Sequence, residues 1–255
     1  MKKLILLCLA IVSVNLMAFG QTGHRVTGEI AERYLTDKAR AEIRKILGNY
    51  TLAEISTYFD EQRSNPSEFW QKTANPWHYM TVPDGETYHD GMAPEEGDAI
   101  TAIRMYTKQL KDPKSSNEHK ALALKFLVHT IADLHQPLHV GNGKDRGGND
   151  IKVEFFWERS NLHRVWDSGM IDRLQLSYSE LTNWLDTKIT PEQLAEWNST
   201  DPLVWAKESQ NIRMSIYPKG DKLSWHYQYE NIDTVKLRLS QAGVRIAYYL
   251  NEVFE

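Results

Sequence analysis

The chain has 255 residues, 41% of them hydrophobic and 25% charged, an ordinary globular composition with enough length for one sizeable core. Its formal net charge of −4 excludes a protein that grips nucleic acid on a broad basic face. It does not exclude one that recruits cations, because clustered carboxylates are what a multi-metal site adds to such a balance.

Residues 1–18, MKKLILLCLAIVSVNLMA, open with two lysines, continue as an apolar run and reach a small residue at Ala18. That is the pattern of a secretory signal peptide, and a run of about a dozen residues is short of the roughly 20 needed to span a bilayer. Its removal takes Lys2, Lys3 and the sole cysteine, Cys8, leaving 28 basic against 34 acidic residues, a net of −6. Residues 19–255 are then expected to form one secreted or periplasmic domain, monomeric and without stable membrane association.

HRVTGEIAERYL places Val26, Ile30, Ala31 and Tyr34 on one helix face. Thr36 is positioned to cap DKARAEIRKIL, which ends at Gly48. LAEISTYFDEQR predicts a further helix, and TANPWHYMTVPDGETYHDG a loop. A helix over about 97–111 is closed by Pro113, and another, with Asn117 as its cap, runs to about Leu134. GNGKDRGGND is a turn-rich loop, and IKVEFFW has strand character. A long amphipathic helix is expected from about Ile232 onward. The fold class is all-α, with at most a small β ribbon.

Metal-capable side chains recur at helical spacing. His129 and Asp133 in HTIADLHQPLH are four positions apart and share a helix face; His163 and Asp167 in NLHRVWD repeat the spacing. Pro137 must break the first helix, so His139 can turn to a different target. His135, two positions after Asp133, points away from that face and is expected to bond a backbone group. Asp60 and Arg63 pair an acid with a cation in FDEQR, and His78 follows Pro76 and Trp77. Cleavage after Ala18 would expose the amine of Phe19 five residues before His24. An α-amine and its own carbonyl form a five-membered chelate. His89, His119 and His226 read as solvated surface residues.

Taken as a set, FGQTGH (19–24), FDEQR (59–63), WHY (77–79), HTIADLHQPLH (129–139), GGN (147–149) and NLHRVWD (161–167) resemble the secreted zinc-dependent single-strand nucleases of the S1/P1 family. The resemblance runs in family order over nearly all of residues 19–255. It implies a mostly helical fold of the phospholipase C and zinc nuclease type, with three zinc ions at the bottom of a cleft. Asp60, His78, His129 and Asp133 would hold one zinc. The amine and carbonyl of Phe19 with His24 would hold a second, bridged to the first by Asp133. His139, His163 and Asp167 would hold the third. Asp60 and Arg63 would be catalytic, with Arg63 facing the scissile phosphate; Tyr79 would stack on a base and Asn149 lie near it. The implied substrates are single-stranded DNA and RNA, cut to 5′-phosphates, and 3′-mononucleotides. A zinc-dependent phospholipase C is the alternative on the same fold. Two positions depart from the family pattern: Phe19 stands where tryptophan is usual, and Thr81 where an aspartate often reads the base.

Overall fold

The structure, a computed structural model, describes residues 19–255; the signal peptide expected at residues 1–18 lies outside the described residues. Helices α1 (Gly20–Tyr34) and α2 (Asp37–Leu47) lead the chain. The Thr36 side chain caps α2 by accepting from the Ala39 N–H, and the Gly48 N–H closes its far end on the Arg44 carbonyl. The helix expected over LAEISTYFDEQR is instead two short ones, α3 (Leu52–Ile55) and α4 (Tyr58–Glu61), followed by a 3-10 turn at Gln62–Ser64. The break falls at Ser56 and Thr57. It turns the Ser56 carbonyl toward His129, whose Nδ1 lies 2.7 Å away.

The following loop holds a 3-10 turn at Asn75–His78 and the short strand β1 (Met80–Thr81). Helix α5 (Ala99–Lys111) is capped by Asp98, and α6 (Asn117–Asp133) by Ser116 rather than by Asn117. A turn at Pro137–His139 leads into β2 (Val140–Gly141), which pairs parallel with β1. The expected ribbon is present as β3 (Lys152–Phe155) and β4 (Glu158–Asn161), antiparallel. Then come α7 (Leu162–Arg164), a wide π turn at Val165–Gly169, α8 (Met170–Asp172), α9 (Tyr178–Asp186), α10 (Pro191–Glu196) and α11 (Pro202–Arg213). Strand β5 (Lys222–Leu223) adds a parallel edge to β3. The last helix, α12 (Trp225–Phe254), begins seven residues earlier than its apolar periodicity announces, because Trp225, His226 and Tyr229 in its first turns are exposed. The protein is all-α with short β additions.

Helix α6 is the central rod. Every residue from Phe126 to Asp133 is buried, so this stretch is enclosed on all sides rather than amphipathic. It packs against α1, α5 and α12, and α1 lies along α12. Gly243 of α12 permits that approach: a Cβ there would lie 2.5 Å from Cβ of Ile30. Beyond Asp133, two buried arginines and a half-buried glutamate hold the end of the rod. Arg238 Nε donates to the His135 carbonyl at 3.0 Å, while Arg238 and Arg245 both bond Glu208, at 2.7 Å from Arg238 Nη1 and 2.7 Å from Arg245 Nη2. Fixing the exit of α6 fixes the turn that carries His139.

Candidate metal centre and substrate cleft

Five separate segments converge on the inner end of α6. His24 comes from α1, Asp60 from α4, His78 from the turn after Pro76, and His129 and Asp133 from α6 itself. His139 comes from the turn that Pro137 starts, and His163 and Asp167 straddle α7 and the π turn. All eight side chains are buried, the most exposed being Asp60 at 9%. Burying this many ionisable groups is costly unless charges of opposite sign or metal ions compensate.

The groups fall into three clusters with ligand atoms within 4.8 Å of one another: His24, His129 and Asp133; Asp60, His78 and His129; and His139, His163 and Asp167. Asp133 stands between the first two. Its Oδ1 is 3.3 Å from His24 Nε2, while its Oδ2 is 3.1 Å from His78 Nδ1 and 3.2 Å from His129 Nε2. Asp60 lies 3.8–4.0 Å from His129, His24 and His78. In the third cluster, Asp167 Oδ2 is 3.0 Å from His163 Nε2 and Oδ1 is 3.7 Å from His139 Nε2.

Three of the rings are aimed by backbone carbonyls. Nδ1 of His129 donates to Ser56, Nδ1 of His139 to His78 and Nδ1 of His163 to Gly147, at 2.6–2.7 Å. Each bond fixes a tautomer that turns Nε2 and its lone pair inward. Both oxygens of Asp60, Oδ1 of Asp133, both nitrogens of His24 and Nε2 of His139 are buried without a hydrogen-bond partner. His78 Nδ1 and His129 Nε2 sit 3.0 Å apart, and only one proton fits between them. Converging, unpaired imidazole and carboxylate donors fit divalent cations with nitrogen and oxygen preference, zinc foremost.

The electrostatics agree. Burial pushes Asp133 toward neutrality, but His129 and His139 outweigh it and hold the carboxylate well below its usual range. Burial likewise opposes ionisation of Asp60, and His129, Arg63 and His78 overcome it. Burial and the nearby Arg63 depress His78 to about 3. For His139, burial disfavours the charge, yet Asp133 and Asp167 raise it to about 9. Without metal, the carboxylates stay ionised and protons gather on selected rings; a cation would displace those protons.

Above the clusters opens a cavity of about 390 Å³ lined by Arg63, Tyr79, Thr81, Arg146, Asn149 and the three histidines His78, His139 and His163. Arg63 Nε is 2.9 Å from Asp60 Oδ1, an ion pair whose angle is too poor for a hydrogen bond. Tyr79 is 42% exposed and lines this cavity. Asn149 is buried, its Nδ2 donating to the Arg146 carbonyl at 2.9 Å. The loop bearing it depends on Gly147, whose φ of +62° is left-handed and whose missing Cβ would meet the Leu138 carbonyl. Asp145 braces the same loop by accepting from the Gly148 N–H at 2.9 Å and the Tyr217 hydroxyl at 2.6 Å.

Phe19 is fully buried at the start of α1, its ring edge-on to His24 at 6.5 Å between centroids. His135 stands apart, bonded through Nδ1 to the Ile131 carbonyl at 2.8 Å and facing Arg245 through Nε2 at 3.3 Å. Burial, then Arg238 and Arg245, keep it neutral far below its ordinary value. His89, His119 and His226 are exposed. Sequence reasoning passed over Gln136, which is buried and bonded to Asp167, and Arg146 at the cavity rim. The signal for Gln136 was available: a polar residue inside the motif that carries His139.

Among known proteins, the model of the S1/P1 nuclease family matches residues 19–255. Endonuclease 2 of Arabidopsis thaliana is 31% identical over 268 residues, covering 94% of this chain and 92% of that protein. Nuclease P1 of Penicillium citrinum is 28% identical over 268 residues, covering 92% and 97%. Nuclease S1 of Aspergillus oryzae is 28% identical over 267 residues, covering 91% of each. The buried His/Asp clusters, the cleft above them and the match along the whole described chain have one reading: the protein belongs to the S1/P1 nuclease family and is a hydrolase of phosphodiester bonds.

Proposed function

We propose that the protein is a secreted, trinuclear zinc endonuclease that cuts single-stranded DNA and RNA to 5′-phosphates and also removes phosphate from 3′-mononucleotides. The observation that carries this reading is the set of three buried His/Asp clusters beside one cavity, which His78, His139 and His163 line together with Arg63 and the exposed Tyr79. One zinc would be held by Asp60, His78, His129 and Asp133. A second would take His24, Asp133 and the amine and carbonyl of Phe19, once residues 1–18 have been removed. The third would take His139, His163 and Asp167. Zinc supplies, when bound, Lewis acidity toward phosphoryl oxygens and a lowered pKa for water.

The chain's own groups do the rest. Arg63 meets the phosphoryl oxygens as negative charge builds on them, and the ionised Asp60 aims its guanidinium. Tyr79 offers a ring on which one base can stack, which requires that base to be unpaired and so favours single strands. Asn149 and Thr81 line the same cavity and would flank the base, with Thr81 lacking the carboxylate that would accept hydrogen bonds from base N–H groups. Among the described residues no helix is long and apolar enough to cross a membrane, which is compatible with release after signal cleavage.

The test is release of acid-soluble nucleotides from single-stranded DNA and from RNA, with and without a chelator, followed by zinc restoration. Chelator-sensitive, zinc-restored release is expected on both polymers. Absence of such release overturns the proposal; phosphocholine release from phosphatidylcholine vesicles in its place would assign the fold's phospholipase chemistry.

A further inference from the structure

We propose that Gln136 is a positioning residue that locks Asp167 and His139 into one cation-binding unit. The inference rests on the reading that His139, His163 and Asp167 hold a zinc ion. Gln136 is completely buried between the end of α6 and the Pro137–His139 turn. Its side-chain amide is used at both ends. Oε1 accepts from the Leu138 N–H at 2.6 Å, and Nε2 donates to Asp167 Oδ1.

The direction of these bonds is dictated, not chosen. A backbone N–H can only donate, so the atom facing Leu138 must be the amide oxygen. The NH₂ must then face Asp167, which as an ionised carboxylate can only accept. Asp167 is buried, with His163 Nε2 at 3.0 Å from Oδ2 and His139 Nε2 at 3.7 Å from Oδ1, so the Gln136 amide is the hydrogen-bond donor placed against Oδ1. The amide thus reads both partners at once and has one satisfied orientation.

The consequence reaches two ligand candidates. Leu138 sits within the turn that sets the direction of His139, so the Oε1 bond holds the backbone of one donor. The Nε2 bond occupies one face of Asp167 Oδ1, leaving Oδ2 toward His163 at 3.0 Å and the rest of Oδ1 toward His139 Nε2 at 3.7 Å. Asp167 lies on the π turn, a conformation that is rare overall and frequent at functional sites. Residues 136 and 167 come from different segments, so the bond also ties the α6 exit to the α7 region. Groups that orient metal-bound side chains in this way typically contribute a 10- to 100-fold effect on affinity.

The experiment titrates the zinc-stripped, signal-cleaved protein with zinc against a chromophoric chelator. It compares the unmutated protein, Gln136→Met, Gln136→Glu and His163→Ala. Gln136→Met removes both bonds. Gln136→Glu keeps the acceptor for Leu138 and nearly the same volume; titrated at a pH high enough to keep it ionised, it presses a second carboxylate oxygen against Asp167 and pushes it from its place. Expected are three equivalents for the unmutated protein and loss of one in His163→Ala. Both Gln136 variants should bind the corresponding equivalent about 10- to 100-fold more weakly, the other two unchanged. Circular dichroism and the melting temperature of the stripped proteins establish folding, and Gln136→Glu carries the test where Gln136→Met does not fold. If His163→Ala loses one equivalent while either folded Gln136 variant binds all three normally, the role of Gln136 is overturned. If His163→Ala keeps the unmutated count, the third metal site itself is refuted.

Discussion

Asp133→Ala is the most informative single change. The carboxylate is fully buried and is shared: Oδ1 faces His24 at 3.3 Å, and Oδ2 faces His78 and His129 at 3.1 and 3.2 Å. A four-ligand zinc site in a small protein is worth on the order of 10–16 kcal/mol, so one ligand in four carries roughly 3 kcal/mol. That is about a hundredfold in affinity. Because the two oxygens face two different clusters, the loss applies twice, and at a buffered zinc level that just saturates the unmutated protein both ions should leave together. The third cluster should keep its ion, since its nearest link to Asp133 is His139 Nδ1 at 3.7 Å, and that nitrogen is already committed to the His78 carbonyl. The assay is metal analysis after equilibrium dialysis against buffered zinc, with circular dichroism to establish folding. A fall from three equivalents to one supports the bridge. A fall to two refutes it, and so does equal weakening of all three.

Arg63→Ala should lower kcat by about 10²- to 10³-fold, the usual effect of removing one preorganised donor from a developing oxyanion, with zinc content unchanged; a wild-type kcat would refute its contact with the phosphate. Tyr79→Ala should raise KM for single-stranded DNA by the worth of one stacked base, about 1–3 kcal/mol, and an unaltered KM would remove it from the base site. A version of the protein with one extra residue before Phe19 should hold one zinc fewer, because the amine proposed as a ligand becomes an amide; three equivalents would contradict that role of Phe19. In zinc-stripped protein, His135 is neutral when folded far below its ordinary value of 6.5, whereas the unfolded chain takes up a proton near that value. The unfolded state binds the extra proton, so this group's stability is present at high pH and is lost as pH falls below 6.5. Compared with His135→Gln, the unmutated protein should therefore lose an additional ~1.4 kcal/mol of unfolding free energy per pH unit over that range, measured by denaturant melts; parallel profiles would refute it.

Local chemistry sufficed for much of this protein. Thr36 and Gly48 bound a helix because their side chain and backbone satisfy its loose ends, and that information sits within a few residues. The four-residue spacing of His129 and Asp133 fixes a shared helix face whatever surrounds it, and Pro137 ends that helix through its missing N–H and its ring. The boundaries that sequence misplaced are those where a distant group decides. FDEQR is not one continuous helix with LAEIS, because the Ser56 carbonyl is committed to His129, 73 positions away. The first turns of α12 leave no apolar signature because, Tyr227 apart, they gain little burial.

The site shows the same division. Residue types and order carried the inventory, since imidazoles and carboxylates are the only side chains with this donor chemistry. Which ring nitrogen faces inward was decided by carbonyls of Ser56, His78 and Gly147, atoms present in every residue and therefore invisible as sequence signals. For Gln136 the sequence shows a polar residue inside the motif but not its role, which lies in bonds to a neighbour's N–H and to a carboxylate 31 positions away. Sequence specifies which donors exist; only the folded chain sets their angles and lone-pair directions, and with them which clusters Asp133 joins.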